Sequence, residues 1–212
     1  MRKPLAPQEF ATLASVSRET LGRLEAYVEL LQRWQRAINL VGESTLTDIW
    51  RRHFLDSAQL LPLLPSPPCR VADLGTGGGF PGLVLSILGA GEVHLIEADS
   101  RKSAFLREAV RVTSAPAVLH EQRIEQVLGL EVDVVVSRGL ASLECLVTYA
   151  LPLLKPGGMC LFSRGRGSEE ELTQAVKRWK MQIDRFSSVT DPQAWIIRLS
   201  GISTIRTDER AR

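Results

Sequence analysis

An α/β fold with a Rossmann-like, mainly parallel sheet, a helical N-terminal extension and an antiparallel C-terminal hairpin is what this sequence predicts, and three observations predict it. Val71-Ala72-Asp73-Leu74 runs into Gly75-Thr76-Gly77-Gly78-Gly79-Phe80-Pro81-Gly82, and Leu83, Val84, Ile87 and Leu88 follow at helical spacing. Apolar runs at 69–74, 93–96, 117–120, 132–137 and 159–162 alternate with helical patterns, as parallel βαβ units covered on both faces do. Near the end, apolar runs at 194–199 and 202–205 flank Ser200-Gly201, which reads as a hairpin.

The elements divide the chain into an extension over 1–68, a sheet domain over 69–206 and a polar tail over 207–212. Leu21, Leu24, Val28 and Leu31 mark an amphipathic helix over about 17–36. Thr45 with Asp48 three residues on resembles a capping box, which opens a second helix through Ile49, Trp50, His53, Phe54, Ser57 and Leu60. Pro62, Pro65, Pro67 and Pro68 interrupt that pattern and set the extension apart as a lid over the sheet.

Composition bounds the function. At 44% hydrophobic and 24% charged, the chain sits near the globular average, which argues against disorder. No apolar run approaches the ~20 residues of a membrane span, and Met1-Arg2-Lys3-Pro4-Leu5 leads into no apolar signal core. Cys69, Cys145 and Cys160 are scattered, as structural thiols of a reducing cytoplasm are. His53, His94 and His120 lack ligand spacing, so no metal is implied. A net charge of +2 does not by itself announce nucleic acid. Arginine outnumbers lysine, which suits phosphates and base edges but also follows from genomic base composition.

The glycine loop points to a nucleotide-like cofactor. Five glycines within 75–82 let the backbone turn tightly and approach a ligand closely. Glu97 closes the next apolar run where a ribose-binding carboxylate belongs. The dinucleotide fingerprint G-x-G-x-x-G fails, because Phe80 holds its third glycine position. Asp73-Leu-Gly-x-Gly-x-Gly with an acidic end to strand two instead resembles class I S-adenosylmethionine-dependent methyltransferases. At the same sheet edge stand Arg123-Ile124-Glu125 and Ser137-Arg138. Arg138 can meet a cofactor carboxylate, an RNA phosphate or guanine O6, or form a plain ion pair. His53 and Asp56, three apart, either order a lid over the cofactor as a hydrogen-bonded pair or lock the helix onto the sheet.

Further motifs narrow the resemblance. Trp34 with Asn39-Leu40-Val41, His53-Phe54-Leu55-Asp56-Ser57, the loop from Asp73 to Gly82, Arg101-Lys102 with Phe105-Leu106, Arg123-Ile124-Glu125 and Ser137-Arg138 are similar in order and spacing to the bacterial 16S ribosomal RNA guanine-N7 methyltransferases, also called glucose-inhibited division protein B. The resemblance spans about residues 20–200. It implies S-adenosylmethionine held by Asp73, Gly75, Gly77, Phe80, Glu97, Ile124, Glu125 and Arg138. It also implies small-subunit RNA met by Lys102, Arg123, Arg138 and Arg164, with Arg138 positioning the reacting groups. Such an enzyme is expected to be a cytoplasmic monomer without a membrane partner. Two positions depart from the family pattern: Arg164 stands for a lysine, and Gly139-Leu140 for Ala-Phe.

The missing motifs agree with N7 chemistry, since that nitrogen has an in-plane lone pair and needs no general base. The Asn/Asp-Pro-Pro-aromatic of amine methylation is absent after strand four, and Pro68-Cys69 precedes strand one, away from the cleft edge. A methyltransferase of another substrate and a non-catalytic RNA-binding protein on the same fold are the rival readings. The intact Asp73, Gly75, Gly77 and Glu97 weigh against the second.

Overall fold

The computed structural model describes residues 3–66, 68–165 and 167–205; the tail at 207–212 lies outside them. Two helices open the chain, α1 (Pro7–Leu13) and α2 (Arg18–Gln35). The Ser17 hydroxyl caps α2 by accepting from the Thr20 amide at 3.1 Å. Leu21, Leu24, Tyr27, Val28, Leu30 and Leu31 form its buried stripe.

The next segment is not the single capped helix that its sequence predicts. A 3₁₀ turn at Glu43–Asp48 leads into a π-wound turn at Trp50–Leu55 and then into the short α3 (Asp56–Ala58). The supposed cap is spent elsewhere: Thr45 Oγ1 donates to Gly42 O at 2.5 Å, and Asp48 accepts from the Leu5 amide at 2.7 Å and from Arg51 Nε at 2.9 Å. The Asp56 amide reaches back five residues to Arg51 O, the widened hydrogen bond of π winding.

Seven strands follow: β1 (Cys69–Leu74), β2 (Gly91–Glu97), β3 (Ala117–Glu121), β4 (Val132–Arg138), β5 (Leu154–Arg164), β6 (Trp179–Ser187) and β7 (Trp195–Thr204). Between them lie α4 (Gly82–Ile87), α5 (Ser100–Thr113), α6 (Leu143–Ala150) and α7 (Ser168–Ala175). The sheet order is β3-β2-β1-β4-β5-β7-β6, with β1 to β5 parallel and β7 antiparallel to both its neighbours. Neighbouring β1 and β4 lead to helices on opposite faces, so a crevice opens at their carboxyl ends.

The C-terminal hairpin exists, but with different strands. Ser200-Gly201 is not its turn: both residues lie within β7, where the register with β6 shifts between Lys180 and Gln182 and Gly201 takes φ +59. That is a bulge, which bends a strand without ending it. The partner strand is β6, whose Trp179, Met181 and Ile183 alternate with Lys180, Gln182 and Asp184.

Alternation along the strands feeds two cores. Val71, Val93, Leu95, Val134 and Val136 face one side, together with α1, α2, the 49–60 turns, α4 and α5. Ala72, Leu74, Ile96, Val135 and Phe162 face the other, against α6 and α7. Residues from Leu5 to Leu60 thus complete the first core, and the extension is a packed layer rather than a lid set apart by prolines.

Candidate functional site

The loop after β1 is held from below and from the side. Asp73 is fully buried, and its Oδ2 accepts from Thr76 Oγ1 at 2.5 Å and from the Gly82 amide at 2.8 Å. Its Oδ1 is buried without a partner, and burial pushes the carboxyl up to about 6 despite those two bonds. Asp73 therefore ties loop to helix instead of facing a ligand. Gly77 has φ +59, a conformation natural to glycine, and a Cβ there would meet only Gly75 O at 3.9 Å, so the space above it is open. Glu97 Oε2 accepts from the Gly77 amide at 3.0 Å, and Oε1 accepts from the Asp99 amide at 2.9 Å. Strand β2 thereby delivers a carboxylate against the glycine loop. A side chain on Gly75 would strike Leu140 Cδ1 at 2.6 Å, which places the departing residue Leu140 over the loop.

The N-terminal layer completes this platform. The Tyr27 hydroxyl donates to Gly78 O, and its ring stacks on Phe80 at 5.4 Å. Phe80 is only 3% exposed, so its side chain supports the site from within rather than offering a cofactor surface. Above it sits the Arg138 guanidinium, 5.2 Å from the ring centroid. Tyr27 gave no functional signal in the sequence, because its spacing is that of a core residue.

Arg138 does not project freely into the crevice. Its Nη2 donates to His53 Nδ1 at 2.8 Å, and its Nη1 donates to Arg52 O at 3.1 Å and to Asp56 Oδ2 at 3.4 Å. His53 and Asp56 are thus not bonded as a pair; both serve the same guanidinium, His53 from the π turn and Asp56 from the start of α3. With Nδ1 accepting, His53 carries its proton on Nε2, which donates to Thr45 Oγ1 at 2.6 Å. Burial, then Arg138 and Arg52, pull the imidazole down to about 3, so it is neutral. Asp56 Oδ1 also accepts from Thr190 Oγ1 at 2.6 Å and from Gln59 Nε2 at 2.9 Å, which joins the loop between β6 and β7 to the site.

Beside Arg138 this network borders a cavity of about 290 Å³. The sequence motif matches the GidB family model, described as rRNA small subunit methyltransferase G, over residues 20–194. The chain belongs to the GidB family. A ribosomal RNA small subunit methyltransferase G from Paramagnetospirillum magneticum is 51% identical over 199 residues, covering 94% of this chain and 97% of the relative. One of the same name from Rhodospirillum centenum is 54% identical, covering 92% and 90%. Among solved structures, TYW2 of M. jannaschii in complex with AdoMet superposes with a TM-score of 0.54 at 14% identity, over 80% of each chain. The ribosomal protein L11 methylase of Lactobacillus delbrueckii subsp. bulgaricus gives 0.55 at 20%, over 71% of this chain and 77% of that one. These two likenesses establish the class I methyltransferase fold.

Other candidate residues of this GidB chain fall in different places. Arg164, expected to meet RNA, is a partly buried clamp at the edge of that cavity: it pairs with Glu171 and donates to Ala141 O at 2.9 Å. Glu171 also accepts from the Leu143 amide, so Arg164 joins the end of β5 to the starts of α6 and α7. Lys102 lies in the first turn of α5 beside Arg101, lining a shallow cleft with Arg36 and Asn39. Arg123 and Glu125 are exposed on the turn after β3, whereas Ile124 packs partly into the second core. Cys69 and Cys160 are buried in strands, and among the described residues no group of three or more His, Cys, Asp or Glu could hold a metal. No helix among the described residues is long and apolar enough to cross a membrane.

Proposed function

We propose that the chain transfers a methyl group from S-adenosylmethionine to N7 of a guanine in the 16S RNA of the small ribosomal subunit. The family match over 20–194 supports the substrate. The observation that carries the cofactor is Glu97 against Gly77. A carboxylate has about four lone-pair sites, and the Gly77 and Asp99 amides use two, which leaves acceptors for the neighbouring hydroxyls of a ribose. Gly75, Gly77 and Glu97, with Ile124 and Glu125 on the adjacent turn, are the residues that would hold it. S-adenosylmethionine supplies a methyl on a cationic sulfur, which an in-plane lone pair accepts without prior loss of a proton.

The protein's task is then placement, which can contribute several kcal/mol, roughly 7 to 11 at best. Arg138 is a positioning residue. His53, Arg52 O and Asp56 fix its plane, and its Nε–H and the second Nη2–H have no acceptor among the described residues. An O6 or phosphate oxygen suits them; N7 does not, because its methylated product is cationic. Lys102 and Arg123 serve as phosphate contacts. The reading carries with it a cytoplasmic monomer, since its substrate is ribosomal and the chain holds one complete loop, carboxylate and arginine set.

Calorimetry on Glu97→Ala tests the cofactor half. Loss of charged hydrogen bonds worth on the order of 1.5 to 3 kcal/mol predicts at least tenfold weaker S-adenosylmethionine binding. Unchanged affinity would remove Glu97 from the site. Mass spectrometry of 16S RNA nucleosides from cells with and without the protein tests the other half, N7-methylguanine being the species that must disappear.

A further inference from the structure

The cavity beside Arg138 lies between the 45–59 turns, the ends of β4 and β5, and the corner over 188–196. Its mouth carries two features that the core and the fold do not explain. Trp195 is 36% exposed and has no ring partner among the described residues, although Trp50 and Trp179 are buried. It is the one aromatic residue among the large hydrophobic side chains exposed in the described residues. Asp191, on the same corner, faces Arg52 at 3.5 Å, an ion pair with no hydrogen bond, both side chains about two-fifths exposed. Its Oδ1 accepts from the Gln193 amide at 3.0 Å, which fixes the carboxylate and leaves Oδ2 without a hydrogen bond among the described residues.

We infer that this cavity receives the target guanine, turned out of its RNA stack, with Trp195 as the stacking face and Asp191 as the reader of its Watson–Crick edge. An enzyme that modifies a base in structured RNA must extract it, and it holds the extracted base by aromatic stacking and edge hydrogen bonds. Guanine offers two adjacent donors, N1–H and N2–H, that match a carboxylate, and an acceptor, O6, that matches a guanidinium. Asp191 and Arg138 supply those two complements on walls of one cavity. Adenine presents an unprotonated N1 to the same carboxylate and is refused, because two acceptors then face each other with no proton between them. The inference rests on the guanine reading proposed above and adds to it the residues that choose the base.

The test uses the full chain and small ribosomal subunits from cells lacking it. For Trp195→Ala and Asp191→Asn, kcat/KM for subunits should fall tenfold or more, with S-adenosylmethionine affinity and melting temperature unchanged. Trp195→Phe should recover most of the loss, which a structural role for the indole would not predict. If either variant keeps its kcat/KM, or Phe is no better than Ala, or cofactor affinity falls in parallel, the cavity is not the base site. If the unaltered protein yields no N7-methylguanine, the substrate reading fails instead, and the two failures are told apart by the product.

Discussion

The hydrogen bond from Arg138 to His53 Nδ1 exists only while the imidazole is neutral, and this gives the site an acid limit. With its folded value pulled from 6.5 down to about 3 by burial and by Arg138 and Arg52, His53 contributes stability that is present above pH 6.5 and lost as pH falls toward 3. At pH 5 the loss is of order 2 kcal/mol. His53→Asn keeps an acceptor near the Nδ1 position but does not titrate, so urea unfolding from pH 6.5 to 4 should show a shallower decline than in the native chain. His94 and His120, both lowered chiefly by burial, leave a residual slope. An unchanged slope would place the acid sensitivity in those two residues instead. Asp73 works in the opposite sense. Burial raises it to about 6, so its contribution is complete below about 4 and lost as pH rises through 6. Asp73→Asn can keep an oxygen toward Thr76 and Gly82 while removing a buried charge that lacks a partner at Oδ1. The variant should be more stable at pH 7.5, by up to about 3 kcal/mol, and should lose stability more steeply than the native chain from pH 6 to 4, because nothing then opposes the His53 contribution; a lower melting temperature at pH 7.5 would show that the charge itself holds the loop.

Elements that bury a continuous apolar run against two helix layers declare themselves, which is why β1 and β4 lie within one residue of their predicted limits and all five parallel strands were located in the sequence. The misread elements are those in which a single residue changes the geometry. Gly201 has the composition of a turn but the neighbours of a bulge, and Thr45 has the spacing of a cap but bonds backward to Gly42. The site divides in the same way. Glu97 and the glycine loop stand out in the sequence because their pattern is local, and the structure brings the Glu97 carboxylate against the Gly77 amide. The roles of Tyr27, Phe80 and Arg164 were not legible there, because burial and a partner far along the chain decide them. Close approach of α4 to β1 is a further property of the element rather than of one side chain. A Cβ on Gly82 would lie 2.7 Å from Asp73 Cβ and Oδ2 and from Leu95 Cδ2. Gly82→Ala should therefore push α4 off the strand, at a cost of about 1 to 3 kcal/mol typical of overpacking. Chemical denaturation measures this directly, and a cost near zero would mean that the loop slides to absorb the methyl.

At the scale of the whole molecule the N-terminal layer, the sheet and the loop are one body. Phe10, Trp50 and Phe54 pack on one another, Phe54 and Tyr27 meet Phe80, and Tyr27 meets Phe105 of α5, so a chain of aromatic contacts runs from α1 to the cofactor loop. Each such pair contributes about 0.5 to 1.5 kcal/mol beyond area burial, and the Tyr27 hydroxyl adds a bond to Gly78 O within the loop. Removal of α1 and α2 uncovers Phe80, Phe105, Leu106 and the outer side of α4, an exposed apolar surface that a small domain does not tolerate in water. A chain beginning at residue 42 should thus fail to give a cooperative melt and should bind the dye ANS, while the intact protein unfolds in one transition by both circular dichroism and tryptophan fluorescence. A separable lid predicts the reverse. The intact chain would then show two transitions, and the shortened chain would keep a native-like melt with weakened S-adenosylmethionine binding alone. Coincident unfolding by the two probes, with loss of the melt in the shortened chain, is the result required if the helices that precede the sheet are the floor on which the glycine loop rests.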